Sequence, residues 1–399
     1  MSSPIISPKK QHLIDPGICI RCGTCEVTCT KNAVSHGDLN YVVDADKCDF
    51  CMDCIAPCPT GSIDHWRLVT ATYSVAEQLG WEELPPQQEF GEDVAAAIEA
   101  VEADVEDLLA TAHAGSGGKL VAPASAAKPS VNIFSRAKPA TAMVQGNYRI
   151  TSQAASCDVR HIVLSFGSTP FPVLEGQSIG IVPPGTQPNG RPRDIRLYSV
   201  ASPRDGEKRN GNNVSLTVKR QDRGVASNYL CDLKVGERVQ VTGPFGATFL
   251  MPGDPSSNIL MICTGTGAAP FRAFTERRRR TAPGAPGRMV MFFGARTPGE
   301  LPYFGPLQKV SASLLERYLV FSRLPDHSKE YVQDRMRSHS ERIGDLLRSD
   351  HTHVFICGLK GMEQGVDAAF KDICDAQRLN WDTLKSSMRA SGRYHIETY

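Results

Sequence analysis

Ile259-Leu-Met-Ile-Cys-Thr-Gly-Thr-Gly-Ala-Ala-Pro-Phe271 is an unbroken apolar run that opens into a Thr-Gly-Thr-Gly loop and resumes with helix-forming alanines. Consecutive apolar residues bounded by glycine suit a strand buried on both faces of a parallel sheet. Glycines at its carboxyl end let backbone amides approach a pyrophosphate. The loop is not G-x-G-x-x-G, so spacing alone predicts a nucleotide loop and nothing finer. Downstream, Met289–Phe293, Leu319–Phe321 and Val354–Cys357 are apolar runs separated by helical stretches. That alternation predicts a doubly wound parallel α/β sheet over residues 253–399.

Upstream the pattern differs. Ile162–Phe166, Ser178–Val182, Val214–Val218 and Arg238–Val241 are short apolar runs between Gly and Pro, which predicts an antiparallel β-barrel over residues 141–252. Arg196-Leu-Tyr-Ser199 places a guanidinium, a phenol and a hydroxyl on one strand. Arg196 has the planar donor fork for a pyrophosphate, Tyr198 a face to stack on a flavin ring, and Ser199 a donor for flavin N5. Gly224-Val-Ala-Ser-Asn-Tyr-Leu230 suits a turn whose amides and Ser227 meet phosphate at a helix N-terminus.

These stretches resemble the plant-type ferredoxin–NADP reductases from about Tyr148 to the last residue. The resemblance includes Glu175-Gly-Gln-Ser-Ile-Gly180, Val218-Lys-Arg220 and Thr242-Gly-Pro-Phe-Gly246. It implies FAD contacts at Arg196, Leu197, Tyr198, Ser199, Val218, Arg220, Gly224, Val225, Ala226 and Ser227. It implies a pyrophosphate loop at Thr266, Gly267 and Ala268, and NADPH rather than NADH through Ser322, Arg323, Lys329, Tyr331 and Gln333. Gly358 and Leu359 would complete the nicotinamide site, with Cys357 beside the reacting carbon. Glu397 would help organise that site, and Tyr399 would cover the flavin. The resemblance makes Ser199, Cys357, Glu397 and Tyr399 the catalytic candidates. One departure is the three-residue connection Gln221-Asp-Arg223, where plant-type enzymes carry a longer hairpin with a tyrosine on adenine.

The N-terminal part carries separate chemistry. Cys19, Cys22, Cys25 and Cys29 repeat as Cys48, Cys51, Cys54 and Cys58, each a C-x2-C-x2-C-x3-C run and the second closed by Pro59. Structural zinc and disulfides compete for these cysteines. Zinc favours two separated cysteine pairs, and x2 spacing among three cysteines crowds a disulfide framework. Soft thiolates at this spacing suit two [4Fe–4S] clusters. Residues 8–70 resemble the bacterial two-cluster ferredoxins, with Thr30 standing where that family usually has proline. The resemblance implies crossed ligation: Cys19, Cys22, Cys25 and Cys58 hold one cluster, and Cys48, Cys51, Cys54 and Cys29 the other.

Residues 71–140 join the two parts. Val94, Ile98, Val101, Val105, Leu108 and Leu109 recur at helical spacing within an Ala- and Glu-rich stretch that lacks Lys and Arg, which predicts a bridging helix. Gly115-Ser-Gly-Gly118 then opens a linker reaching about residue 140. The run Arg277–Arg280 reads as a solvated helix face. A net charge of +1 gives no field for nucleic acid or membrane surfaces. The absence of a signal-like or membrane-length apolar run, together with reduced thiols, points to the cytoplasm.

Hydride carries two electrons and each cluster accepts one. A flavin accepts both and releases them singly, so the parts predict NADPH to FAD to cluster to cluster to an external acceptor. The fusion resembles the reductase components of benzoyl-CoA 2,3-epoxidases, which implies a separate di-iron oxygenase as acceptor. No E-x-x-H occurs in the chain, so oxygen chemistry would belong to that partner. A ferredoxin–NADP reductase with a fused carrier for general metabolism is the alternative, and a non-catalytic redox sensor a third.

Overall fold

The computed structural model describes residues 9–50, 54–55, 58, 60, 62–63, 66–86, 88, 128–186, 193–246, 249–303, 307, 309–325 and 327–398. Cys51, Tyr399 and the expected bridging helix at 92–113 lie outside the described residues.

The N-terminal segment is built from two small antiparallel sheets. β1 (Lys9–His12) pairs with β4 (Trp66–Val69), and β2 (Val34–His36) with β3 (Tyr41–Val43). Such short strands bury little surface alone. Here they surround a core of Ile14, Val34, Val43 and Ile63 together with Cys19, Cys25, Cys54 and Cys58. The short helix α1 (Thr24–Thr28) carries Cys25. α2 (Val75–Leu79) starts at a capping box of Ser74 and Glu77, which satisfies two otherwise orphaned amides. It packs back on β3 through Gln78, whose side chain donates to Val43 O at 2.8 Å and accepts from Val43 N at 3.1 Å.

Six antiparallel strands follow: β5 (Ala140–Arg149), β6 (Val159–Ser165), β7 (Ser178–Val182), β8 (Arg196–Ser199), β9 (Asn213–Lys219) and β10 (Arg238–Phe245). Their order is β8-β7-β10-β5-β6-β9, with helix α3 (Val225–Asp232) after β9. The expected closed barrel is not formed. Among the described residues the outermost strands β8 and β9 are joined by the isolated bridge at Val200–Leu216 and not by a ladder. β5 escapes a sequence reading because alanines mark its inner face: Ala140, Ala142 and Val144 are buried and alternate with exposed residues.

The C-terminal sheet is parallel, ordered β13 (Glu316–Phe321), β12 (Met289–Ala295), β11 (Asn258–Thr264), β14 (Thr352–Gly358) and β15 (Tyr394–Thr398). Helices α4 (Ala268–Thr281), α5 (Val332–Ser338), α6 (Ser340–Leu347), α7 (Glu363–Ala376) and α8 (Trp381–Ala390) complete this doubly wound unit. The order reverses between β11 and β14, and ligands bind at such switch points. No helix among the described residues is long and apolar enough to cross a membrane.

Arginines on α4 tie the three parts together, which corrects the expected solvated face. Arg278 is buried and donates to Gly287 O at 2.8 Å. Arg279 meets Asp15 of the N-terminal segment at 3.1 Å, and Arg280 donates to Gly206 O at 2.8 Å. Arg272, 1% exposed, forms a two-pronged ion pair with Glu207 at 2.8 and 2.9 Å. His161 Nε2 lies 3.1 Å from the same carboxylate, and its Nδ1 lies 3.0 Å from the Tyr303 hydroxyl. Arg272 and its neighbours hold Glu207 well below the usual carboxylate range although burial opposes it, so this pair stays ionised.

Candidate active site

At the switch point, β11 ends in the short turn Gly265–Gly267 and α4 begins at Ala268. Gly267 lies so close to β14 that a Cβ there would stand 2.2 Å from Cys357 O. Gly358 has φ +141°, and a Cβ on it would meet the Thr264 side chain at 2.6 Å. Thr264 Oγ1 accepts from Leu359 N at 3.3 Å, pinning the two strand ends together. The glycine turn thus leads directly into the N-terminus of a fourteen-residue helix, an arrangement suited to phosphate.

A cavity of about 500 Å³ opens there. Thr266, Ser322, Arg323, Lys329, Tyr331, Gln333 and Leu359 all line it. These residues come from loops after three different strands. The loops after β12 and β13 are joined by Ser322 N to Ala295 O at 3.1 Å and Arg323 N to Arg296 O at 2.8 Å. Arg296, Lys219 and Cys157 also line the cavity and were missed in the sequence. Lys219 ends β9 and Arg296 follows β12, so only the folded chain puts them beside the Gly loop. The cationic Arg and Lys donors with hydroxyl donors beside them fit a 2′-phosphate. Gly267 and Ala268 belong to the turn after β11, and Gly358, at the end of β14, packs closely against it.

A second cavity, about 450 Å³, is lined by Arg196, Tyr198, Gly224, Val225, Ala226 and Ser227. These are six of the residues expected at FAD. Gly224 precedes α3, and the Ser227 hydroxyl donates back to Gly224 O at 3.2 Å while accepting from Gln221 N at 3.2 Å. The hydroxyl thus closes the turn that presents the amides. Burial pushes the Tyr198 phenol up to about 12, so the ring is neutral near pH 7. Arg193 and Arg223 stand in this cavity as well, unforeseen from sequence. The donor set, with guanidinia and amides around an aromatic ring, fits a flavin nucleotide.

Four expected contacts are not among the residues that line this cavity. Arg220 donates to Asp158 at 3.1 Å and Asp232 at 2.9 Å, which commits its guanidinium to protein carboxylates. Val218 is wholly buried in the sheet interior. Leu197 is exposed, and Ser199 sits opposite Ser178 in the β7–β8 ladder.

Cys357 and Glu397 stand together at the carboxyl edge of the parallel sheet, in register across β14 and β15. Burial, and then the Glu397 charge, raise the Cys357 thiol, which keeps it protonated. Burial pushes Glu397 up to about 7.

The cysteine runs fold into two neighbouring groups. Cys19, Cys22, Cys25 and Cys58 lie within electrostatic reach of one another, so Cys58 leaves its own run and joins the first. Burial first, and then Cys58 and Cys22, push Cys19 up to about 12 despite an opposing hydrogen bond from Arg21 N. Cys29, Cys48 and Cys54 line a small cavity with His12, Lys31 and Asp49. Among the described residues no three His, Cys, Asp or Glu side chains are set to hold a single metal ion.

Comparison with known proteins agrees with the two cavities. Residues 175–249 match the "Oxidoreductase FAD-binding domain" family and residues 261–368 the "Oxidoreductase NAD-binding domain" family. The fold and site thus define an oxidoreductase that couples a flavin to a nicotinamide. The ferredoxin–NADP reductase of the Cyanophora paradoxa cyanelle is 38% identical over 288 residues, covering 67% of this chain and 79% of that protein. The enzyme of Thermosynechococcus vestitus is 37% identical over 289 residues, covering 67% and 75%. The chain belongs to the ferredoxin–NADP reductase family, and it is an NADPH-dependent oxidoreductase. The Plasmodium falciparum ferredoxin–NADP+ reductase with 2′P-AMP shares the fold, with a TM-score of 0.55 at 22% identity over 68% of this chain and all of that one.

Proposed function

We propose that this protein is a ferredoxin–NADP reductase that carries its own two-cluster iron–sulfur electron carrier. Cys19, Cys22, Cys25 and Cys58 would hold one [4Fe–4S] cluster, and Cys29, Cys48, Cys51 and Cys54 the other. The observation that carries this reading is the meeting of Cys58 with the first run, the crossing that two-cluster ferredoxins use. In a cubane each thiolate holds a different iron, so four sulfurs stand farther apart than the ligands of one ion. Grouped buried thiols without a cation are costly as thiolates, and iron removes that cost.

Bound FAD would supply two-electron acceptance and one-electron release. The chain's own residues orient and protect that exchange. Arg323 and Lys329 would anchor the adenosine end of NADPH, and Thr266 with the glycine turn would hold the pyrophosphate. Cys357 offers a neutral, buried thiol at the sheet edge. Glu397 would hold or release a proton at its carboxyl near neutral pH.

The relatives favour this reading over one specific to an oxygenase. A narrower second reading follows from the fusion itself. A built-in carrier makes a separate ferredoxin redundant, so the acceptor would be a terminal enzyme such as a di-iron benzoyl-CoA 2,3-epoxidase. The test is NADPH oxidation by the purified protein, followed anaerobically with ferricyanide and a soluble ferredoxin, and in the presence of dioxygen with a benzoyl-CoA oxygenase with and without benzoyl-CoA. Turnover with one-electron acceptors and bound iron support the general reading. Turnover that demands oxygenase and benzoyl-CoA selects the narrower one. A protein free of iron when prepared anaerobically would sink both.

A further inference from the structure

The N-terminal segment does not present its two cysteine groups to the reductase equally. Ile20, between Cys19 and Cys22, is 6% exposed and packs into the reductase core with Phe249, Met261 and Phe271. Cys22 packs against the same core beside Tyr148, Ile150 and Met251. Thr24 Oγ1 donates to Cys22 Sγ at 3.2 Å, and the Tyr148 hydroxyl of the reductase lies within electrostatic reach of both the Thr24 side chain and Cys22. Around this contact, polar fastenings hold the segment in one orientation. Lys208 Nζ donates to Ile55 O at 2.6 Å, and Lys309 Nζ donates to Asn40 Oδ1 at 2.9 Å and Trp81 O at 3.0 Å. Arg279 pairs with Asp15. The other group, Cys29, Cys48 and Cys54, lines a cavity whose walls all belong to the N-terminal segment. Two of those walls, Lys31 and Asp49, form an ion pair that is about half exposed.

We infer that the chain is a pre-docked electron-transfer pair with a fixed polarity. The Cys19/Cys22/Cys25/Cys58 group is the inner site that receives electrons from the reductase, and the Cys29/Cys48/Cys54 group is the outer site that faces a partner. Tyr148 acts as a positioning residue. Through Thr24 it sets the hydrogen bonding at the Cys22 sulfur, a factor that governs how readily an iron–sulfur site is reduced. This rests on the iron–sulfur reading above. The electrons balance: NADPH is oxidised to NADP+, and its hydride yields a solvent proton and two electrons. The bound flavin would take both electrons and release them singly to the inner site; each would pass to the outer site and on to the partner before the next follows.

The experiment is a redox titration of the full-length holoprotein followed by electron paramagnetic resonance, with rapid freezing after mixing with NADPH. Tyr148→Phe should lower the reduced-to-oxidised ratio of one iron–sulfur signal about threefold or more at fixed potential, because a donor to sulfur is weakened. Thr24→Val is the second variant and should shift the same signal. Lys31→Glu should shift only the other signal, since it adds negative charge beside the outer group. The signal sensitive to Tyr148 should appear first after mixing. The inference is overturned if Tyr148→Phe and Thr24→Val leave both signals in place, or if Lys31→Glu moves the same signal as they do. It is also overturned if the Lys31-sensitive signal appears first. Absence of any iron–sulfur signal in the unaltered protein would instead count against the functional reading itself.

Discussion

Cys357 and Glu397 occupy matched positions on neighbouring parallel strands, so their side chains leave the sheet on the same face. Burial pushes Glu397 from 4.5 up to about 7, and its charge helps keep the Cys357 thiol protonated. The folded state therefore binds a proton more tightly than the unfolded chain between about pH 4.5 and 7. This contribution to stability is present at low pH and is lost as pH rises through about 7. Hydride transfer from NADPH, followed by stopped flow, should show an inflection near pH 7 that Glu397→Gln abolishes. The thermal midpoint of Glu397→Gln should also vary less with pH across that window. An unchanged inflection in the variant would remove Glu397 from this role.

Arg323 and Lys329 line the nicotinamide cavity beside Ser322 and Tyr331. A charge-assisted hydrogen bond contributes about 1.5–3 kcal/mol, and NADH lacks the phosphate that would accept it. Arg323→Ala and Lys329→Ala should each raise KM for NADPH about tenfold or more and leave KM for NADH nearly unchanged. Equal losses with both nucleotides would place these residues outside the 2′-phosphate site.

Much of the fold was legible because local pattern and tertiary role coincide. The β11 run, the glycine turn and the alternating apolar segments marked the parallel sheet, and Ser178–Val182 was read at its observed ends. β5 was not legible, since small alanines carry its buried face. The run Arg277–Arg280 misled for a different reason. Its partners Asp15, Gly206 and Gly287 lie on other elements, and a charge run looks solvated until those are in place. The ion pairs of Arg220 with Asp158 and Asp232 were also hidden, since those partners lie elsewhere in the chain. Six of the residues lining the second cavity were legible because they fall in two short stretches, 196–198 and 224–227.

The pairing of Arg272 with Glu207 joins the parallel sheet to the antiparallel one, and both side chains are 1% exposed. Removing one member strips the other buried charge of its main ion partner, and breaking such a buried pair costs about 3–5 kcal/mol. Arg272→Met and Glu207→Gln should each lower the thermal midpoint by several degrees. The double variant should cost less than the sum, because neither charge is then stranded. Additive losses would show that the two residues act separately.

Cys58 belongs to the second cysteine run by position and to the first by contact, being within electrostatic reach of Cys19, Cys22 and Cys25. If crossed ligation holds, anaerobically prepared protein carries about eight iron atoms per chain, four in each cluster. Cys58→Ala should remove about half of that iron, and so should Cys19→Ala. Joining those two substitutions should remove no more than either alone, because both empty the same site. Joining Cys58→Ala with Cys54→Ala should remove nearly all of it. Iron and acid-labile sulfide assays with visible absorbance read each case without reference to turnover. If Cys58→Ala and Cys54→Ala together still retain half the iron, the two cysteines serve one cluster and ligation follows the runs as written in the sequence.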